Sequence, residues 1–318
     1  MSSTRRQAVQ SLAAMSLAAA ASGAAEIPKR PLGKTGLQVS ILGLGGARVG
    51  MHDDGKLAKD VVKRCYDLGV TYFDAAAAGA YGLSQLRYGI ALKGLRDKVV
   101  FGTKTRHRSA TQAQLDLDQS LSNLGTDYLD LYQVHNVIND EDIEFIFGPK
   151  GVMEMIEKAK KAGKIRFVGF TGHTDPKILN KMLERYPFST VLMPLSAVDG
   201  SNSQKSFERE TLPMAHKKGL GIIAMKVLSA GQVLQKKAAT VEECLRYAWS
   251  LPISTAIMGM EQLAHVDTNI ALAKTVKPMS AAEMDSIRRR IAEVQYAGLE
   301  PWKANRYDEP DGLVYRAD

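Results

Sequence analysis

Short apolar runs alternate with helix-length stretches along most of this chain. The runs occupy residues 41–45, 70–73, 99–101, 128–134, 165–170, 190–195, 221–225 and 255–258. Each is brief and rich in Val, Ile, Leu or aromatic residues, which predicts a strand. Between them apolar residues recur at helical spacing. Leu57, Val61, Cys65 and Leu68 share one face, and Val152, Met155, Ile156 and Ala159 share another. Ile178, Leu179 and Met182 mark a third, behind Asp175-Pro176, which reads as an N-cap with proline at the first helical position. Thr111 with Gln114, Thr240 with Glu243 and Ser280 with Glu283 read as capping boxes opening three more helices, the first running to Leu124. Helices are also expected over 84–94, 204–218 and 263–273. A hairpin precedes them all, with residues 30–33 and 37–39 as arms and Lys34-Thr35-Gly36 as the turn.

Eight strands and eight helices without a long linker predict a parallel sheet closed into a (β/α)8 TIM barrel, with the N-terminal hairpin before it and a C-terminal helix and tail after it. Residues 26–318 then form a single domain. Hydrophobic residues make up 45% of the 318 and charged residues 24%, which excludes collagen, coiled coil and wholesale disorder. Net charge is +8, but no Lys/Arg block or stacking-aromatic pattern points to nucleic acid. Lys158, Lys160, Lys161 and Lys164 read as a solvated helix face. Cys65 and Cys244 fall on distant elements, so no bridge is expected. Residues 1–25 place Arg5-Arg6 before an uncharged Ala-rich run that ends near Ser22-Gly23-Ala24. That pattern predicts a signal peptide of the twin-arginine type, with no stable membrane span in the mature chain and an exported, periplasmic or extracellular location.

In a barrel of this kind the chemistry sits at the C-terminal ends of the strands. Asp74, Lys104 and His135 each follow an apolar run directly, and Tyr81 lies in the loop after Asp74. The set suits proton delivery to an alkoxide formed by hydride transfer. A nearby ammonium would lower the Tyr81 phenol, Asp74 would keep that ammonium charged, and His135 would polarise the substrate carbonyl. His107 and His173 sit in other post-strand loops, at a spacing that matches no zinc pattern, so no metal is expected.

The chain resembles the aldo-keto reductases over about residues 30–295. The stretches that carry the likeness are 30–46, 72–76, 81–84, 101–104, 127–135, 163–173 and 221–226. The resemblance implies a carbonyl reductase or alcohol dehydrogenase with Asp74, Tyr81, Lys104 and His135 as its catalytic tetrad. It implies a nicotinamide dinucleotide laid across the barrel mouth, NADP(H) favoured over NAD(H), near Thr171, Gly172, Met225, Lys226, Gly259, Met260, Gln262 and Asn269. The loop from Asp74 to Tyr81 is two residues longer than the family usually has, which would move the Tyr81 hydroxyl, and Tyr88 is the fallback proton donor. Gln85 stands where a Glu is frequent and reads as surface variation. His265 stands where many members have Arg or Gln. Partners are a small carbonyl or alcohol substrate and the export machinery. A catalytically poor dinucleotide-binding sensor or subunit, and an exported hydrolase with paired carboxylates, are the competing readings. The aromatic tail with Trp302, Tyr307 and Tyr315 would serve as a substrate wall or an oligomer arm.

Overall fold

The computed structural model describes residues 26–294 and 298–303. The expected signal peptide, Tyr307 and Tyr315 lie outside the described residues. A two-stranded antiparallel hairpin, β1 (Lys29–Pro31) and β2 (Gln38–Ser40), leads into eight parallel strands. These are β3 (Leu42–Gly45), β4 (Tyr72–Asp74), β5 (Val100–Thr105), β6 (Leu129–Val134), β7 (Ile165–Thr171), β8 (Thr190–Pro194), β9 (Gly221–Met225) and β10 (Thr255–Met258). They pair in sequence order, and β10 pairs with both β9 and β3, which closes the barrel. Both faces of the strands are covered, so they read in sequence as unbroken apolar runs rather than alternating ones.

Inward-facing Tyr72, Val100, Leu131, Leu192, Ile223 and Ile257 fill the lumen together with Leu32 and Val39 of the hairpin. Burying each of those two contributes roughly 1.5–3 kcal/mol. Leu32 reaches the lumen because Gly33 has a φ of +56° and lies against the start of β9, where a Cβ would come within 2.1 Å of the Gly221 nitrogen. Arg30 fastens the same hairpin, donating to the Trp249 carbonyl at 2.8 Å and the Ile253 carbonyl at 3.0 Å. The hairpin therefore corks the N-terminal floor and leaves the opposite mouth open.

Several expected elements change at their ends. The capping boxes at Thr240 and Ser280 are both present, and Asp175 accepts from the Lys177 nitrogen with Pro176 opening the helix. Thr111 is not a cap. The helix Ala110–Leu124 is capped by Ser109, which accepts from the Gln112 nitrogen, because Ser109 still pairs with Gly151 as extended chain. The expected helix over 204–218 splits into Phe207–Glu210 and Leu212–Lys218. Pro213 lacks the N–H that a continuous helix needs, so a new helix begins just before it. Short helices Gly46–Met51, Asp140–Phe147 and Ala197–Ser201 occupy stretches to which the sequence assigns no element. Cys65 and Cys244 are buried free thiols. No helix among the described residues is long and apolar enough to cross a membrane.

Candidate active site

Asp74 closes β4 and Lys104 lies on the neighbouring β5, both wholly buried at the mouth end of the barrel. Lys104 Nζ donates to Asp74 Oδ1 at 2.7 Å, to Oδ2 at 2.8 Å and to the Ala75 carbonyl at 2.8 Å. An ammonium has three N–H groups and all three acceptors are met here. Burial pushes the Asp74 carboxyl up and the Lys104 ammonium down, while each one's charge pulls the other back. The three short bonds favour the charged pair.

The two extra residues before Tyr81 are absorbed in a single helical turn, Ala78–Tyr81. The Ala80 and Tyr81 nitrogens bond back to the Ala77 carbonyl at 2.9 and 3.1 Å. The turn is held from outside by a close backbone approach. A Cβ on Gly50 would lie 1.8 Å from the Tyr81 carbonyl oxygen, and Gly82 follows at φ +51°. The Leu83 nitrogen bonds the Gly50 carbonyl at 3.0 Å. Tyr81 is thereby returned to the mouth, its ring 4.8 Å from Lys104 Nζ and 6.2 Å from the His135 ring, edge to face. Its hydroxyl has no hydrogen-bond partner among the described residues. The expected lowering of the phenol by Lys104 is not what the geometry gives. Burial raises it above its ordinary value and Asp74 adds to this, with only Arg106 opposing. Lys104 spends its charge on Asp74. Tyr88, the fallback donor, is fully buried behind β4 among Phe73 and Phe101, with its hydroxyl donated to the Leu44 carbonyl.

His135 follows β6 and is buried, its carbonyl gripped by both Arg108 Nη atoms at 3.0 and 3.1 Å. Burial first, then the charges of Lys104 and Arg106, hold its imidazole neutral. Thr171 at the end of β7 turns its hydroxyl to the Asn136 nitrogen at 2.8 Å, which fixes Asn136 at a φ of +54° beside His135. Gly172 packs against the fold, where a Cβ would meet Leu179 at 2.4 Å. His173 is buried nearby and pushed down to about 3 by burial and by Lys226. His107 pairs with Asp116 at 2.9 Å instead of facing the mouth. Gln85 is not surface variation: it is 2% exposed and donates to Thr103 at 2.8 Å and Ser120 at 2.7 Å, tying β5 to the helix Ala110–Leu124.

Beside Tyr81 opens a cavity of about 350 Å³ between the ends of β3, β9 and β10. Met225, Lys226 and Gly259 line it, as do Gly45, Arg48, Ile257, Glu261 and His265. Met260 is instead buried in the core, and Gln262 and Asn269 lie outside the lining. Lys226 has no acidic partner among the described residues. Its ammonium sits 5.0 Å over the Trp302 ring, which the C-terminal segment 298–303 brings up through Lys303, bonded to Asp199 at 2.5 Å and Glu300 at 2.7 Å. The helix Leu263–Lys274 begins there with no side-chain cap. Apolar walls, bare backbone at Gly45 and Gly259, and a half-buried ammonium with no acidic partner among the described residues suit a flat, anionic ligand such as a nicotinamide cofactor. Arg48 escaped the sequence reading because it lies on no strand and just beyond the stretch 30–46.

A sequence model described as the aldo/keto reductase family matches residues 41–243. The chain is 30% identical over 322 residues to L-galactose dehydrogenase of Arabidopsis thaliana, covering 87% of this chain and 96% of that one. It is 29% identical to aldo-keto reductase YhdN of Bacillus subtilis over 57% of this chain and 56% of the other. The solved aldo-keto reductase AKR11C1 from Bacillus halodurans, in its holo form, superimposes with a TM-score of 0.71 over 83% of this chain and 96% of that one, at 24% identity.

Proposed function

Because the chain belongs to the aldo/keto reductase family, we propose that it reduces an aldehyde or ketone to an alcohol with Tyr81 as proton donor. A nicotinamide dinucleotide, NADP(H) ahead of NAD(H), supplies the hydride when bound. The family is one of oxidoreductases that use nicotinamide cofactors, and the finer assignment rests on the site. The observation that carries it is the meeting of Tyr81 and neutral His135 at the cavity mouth, over the Asp74–Lys104 pair. His135, uncharged, offers an imidazole N–H to the substrate oxygen and polarises the carbonyl. Tyr81 Oη then gives its proton to that oxygen. Its raised phenol keeps the proton on Tyr81 throughout the neutral range, which suits reduction. Lys104, bound to Asp74, lies beneath the Tyr81 ring and helps to hold it in place, and Arg106 is the cation whose charge favours the resulting phenolate. The excess of Arg48 and Lys226 over Glu261 in the cavity favours the cofactor with the additional phosphate.

The name of the Arabidopsis relative places a sugar among the substrates to try. Steady-state oxidation of NADPH with a panel of aldehydes and quinones, and NAD(P)+ reduction with L-galactose, test the reading. Tyr81→Phe should remove most turnover and Tyr88→Phe should not. The competing reading, a dinucleotide-binding protein with little turnover, draws on the lack of a hydrogen bond between Lys104 and the Tyr81 hydroxyl. Binding of NADPH without turnover on any substrate would favour it. We place the mature protein outside the cytoplasm on the strength of residues 1–25, exported folded and loaded with its cofactor.

A further inference from the structure

Backbone strain is concentrated just after β9. Lys226, Ser229 and Ala230 stand at φ of +58°, +49° and +52°, a region where a Cβ is costly. Ser229 and Ala230 are the central residues of a turn, closed by the Gly231 nitrogen donating to the Leu228 carbonyl at 2.8 Å. A turn with positive φ at both central positions ordinarily takes Gly, Asn or Asp there. Leu228, Ala230 and Gly231 form one wall of the cavity beside Tyr81.

Such strain persists only where the surroundings over-determine it. Here the C-terminal segment does so. Ser229 is buried and donates its hydroxyl to the Leu299 carbonyl, and the Lys226 ammonium lies over the Trp302 ring. Leu299 and Trp302 are themselves buried. The segment is anchored in turn to the elements that follow β8. Lys303 Nζ donates to Asp199 Oδ1 at 2.5 Å and to the Lys205 carbonyl at 2.7 Å, and Asn202 Nδ2 donates to Glu300 Oε2 at 3.1 Å. Asp199 also accepts from the Phe207 and Glu208 nitrogens at 3.0 and 2.8 Å.

We infer that the turn Leu228–Gly231 is a strained lid on the cavity, latched by residues 299–303 through Ser229 and Lys226, and that release of this latch opens the lid for ligand exchange. The lid and latch stand on the backbone and its contacts; the gating of a dinucleotide rests on the reductase reading. Relief of strain at Ser229 and Ala230 offsets part of the cost of breaking the two contacts. The wall can therefore swing without disturbing the barrel strands.

Hydrogen exchange of the ligand-free full chain, read by mass spectrometry over residues 226–231 with β6 as the reference for global stability, follows opening directly. Ser229→Ala, which removes the bond to Leu299, should speed exchange about fivefold, the scale of one net hydrogen bond. Trp302→Leu should act in the same direction, and so should Lys303→Gln, although Lys303 lies outside the cavity lining. Ala230→Gly should slow exchange about threefold, because glycine takes positive φ without steric cost and the Ala230 methyl is exposed. A merely structural role predicts no slowing by any of the four. NADPH dissociation, followed by stopped-flow fluorescence, should change in the same order. Exchange unchanged by Ser229→Ala, Trp302→Leu or Lys303→Gln, or not slowed by Ala230→Gly, would overturn the latch. NADPH release indifferent to all four would overturn the gating and leave the reductase reading intact. If the wild-type protein bound no NADPH, the reductase reading and the gating would fall, and exchange would still decide the latch.

Discussion

Lys104 has three N–H groups and three acceptors, so its bonding is complete before any substrate arrives. Removing it strands a wholly buried Asp74 without its counter-ion. Lys104→Met should lower single-turnover reduction by at least ~100-fold and lower stability by about 3–5 kcal/mol, the usual cost of breaking a buried pair. Asp74→Asn added to Lys104→Met should recover much of the stability, read by chemical denaturation, and none of the turnover. Recovery of turnover would show that the ammonium has no part in the chemistry. Asp74, Lys104, Tyr81 and His135 were legible in sequence because three of them end apolar strands and the fourth follows in the next loop. The direction of the Tyr81 shift was not legible. It depends on which atom Lys104 bonds, and Ala75 supplies a carbonyl that no spacing argument reveals.

Elements carry the next level of constraint. The turn Ala78–Tyr81 holds its shape because two glycine backbones, at 50 and 82, let chain cross chain. Gly50→Ala should force the Tyr81 carbonyl outward and displace the ring by about 1 Å, a misplacement that costs on the order of 100-fold in rate. The circular dichroism spectrum should stay that of the wild type, and unchanged turnover would show that the loop has slack. Caps at Asp175, Thr240 and Ser280 were readable because side chain and target N–H lie within one turn. The helix Ser84–Ala91 was expected too, but not which of its faces turns inward. It buries Gln85 and Arg87 and exposes Leu86 and Ile90, reversing the usual arrangement. Its polar side chains are drawn inward by Thr103, Ser120 and the Val49 carbonyl, all distant in sequence.

At the scale of the molecule, the closed barrel was foreseeable from the count of strands, since eight short parallel strands with helices between them have one compact closure. Its response to acid follows from buried groups. His135 and His173 are both depressed below the ordinary imidazole value, so the unfolded chain takes up protons near pH 6.5 that the folded chain refuses. Each then lowers stability by ~1.4 kcal/mol per pH unit as pH falls below about 6.5. Glu300 opposes them. Burial raises it to about 7, so the folded chain holds a proton that the unfolded chain loses above its ordinary value of 4.5, and its contribution fades as pH rises toward 7. Because both imidazoles charge in the unfolded chain across this range, acidification from pH 6.5 to 5 should destabilise the protein. Denaturation midpoints should fall over that interval, less steeply for His173→Gln and more steeply for Glu300→Gln. A midpoint rising on acidification would contradict the neutral assignment of the two histidines. If residues 1–25 are the proposed signal peptide, replacing Arg5 and Arg6 by Lys should leave the uncleaved precursor in the cytoplasm on cell fractionation; export unaffected by the change would sink the routing.

The corked floor also sets an orientation. Ile27 packs beside Gly69, the Ile41 nitrogen bonds the Pro28 carbonyl, and Leu32 enters the lumen from below. Residue 26 consequently leaves the barrel on the side opposite Tyr81. A bead, an electrode or a fusion partner coupled at that end would hang from the base and leave the opening toward bulk solution. Trimming into the hairpin would have another result, since the lumen would lose its stopper and water would enter beneath the Asp74–Lys104 pair.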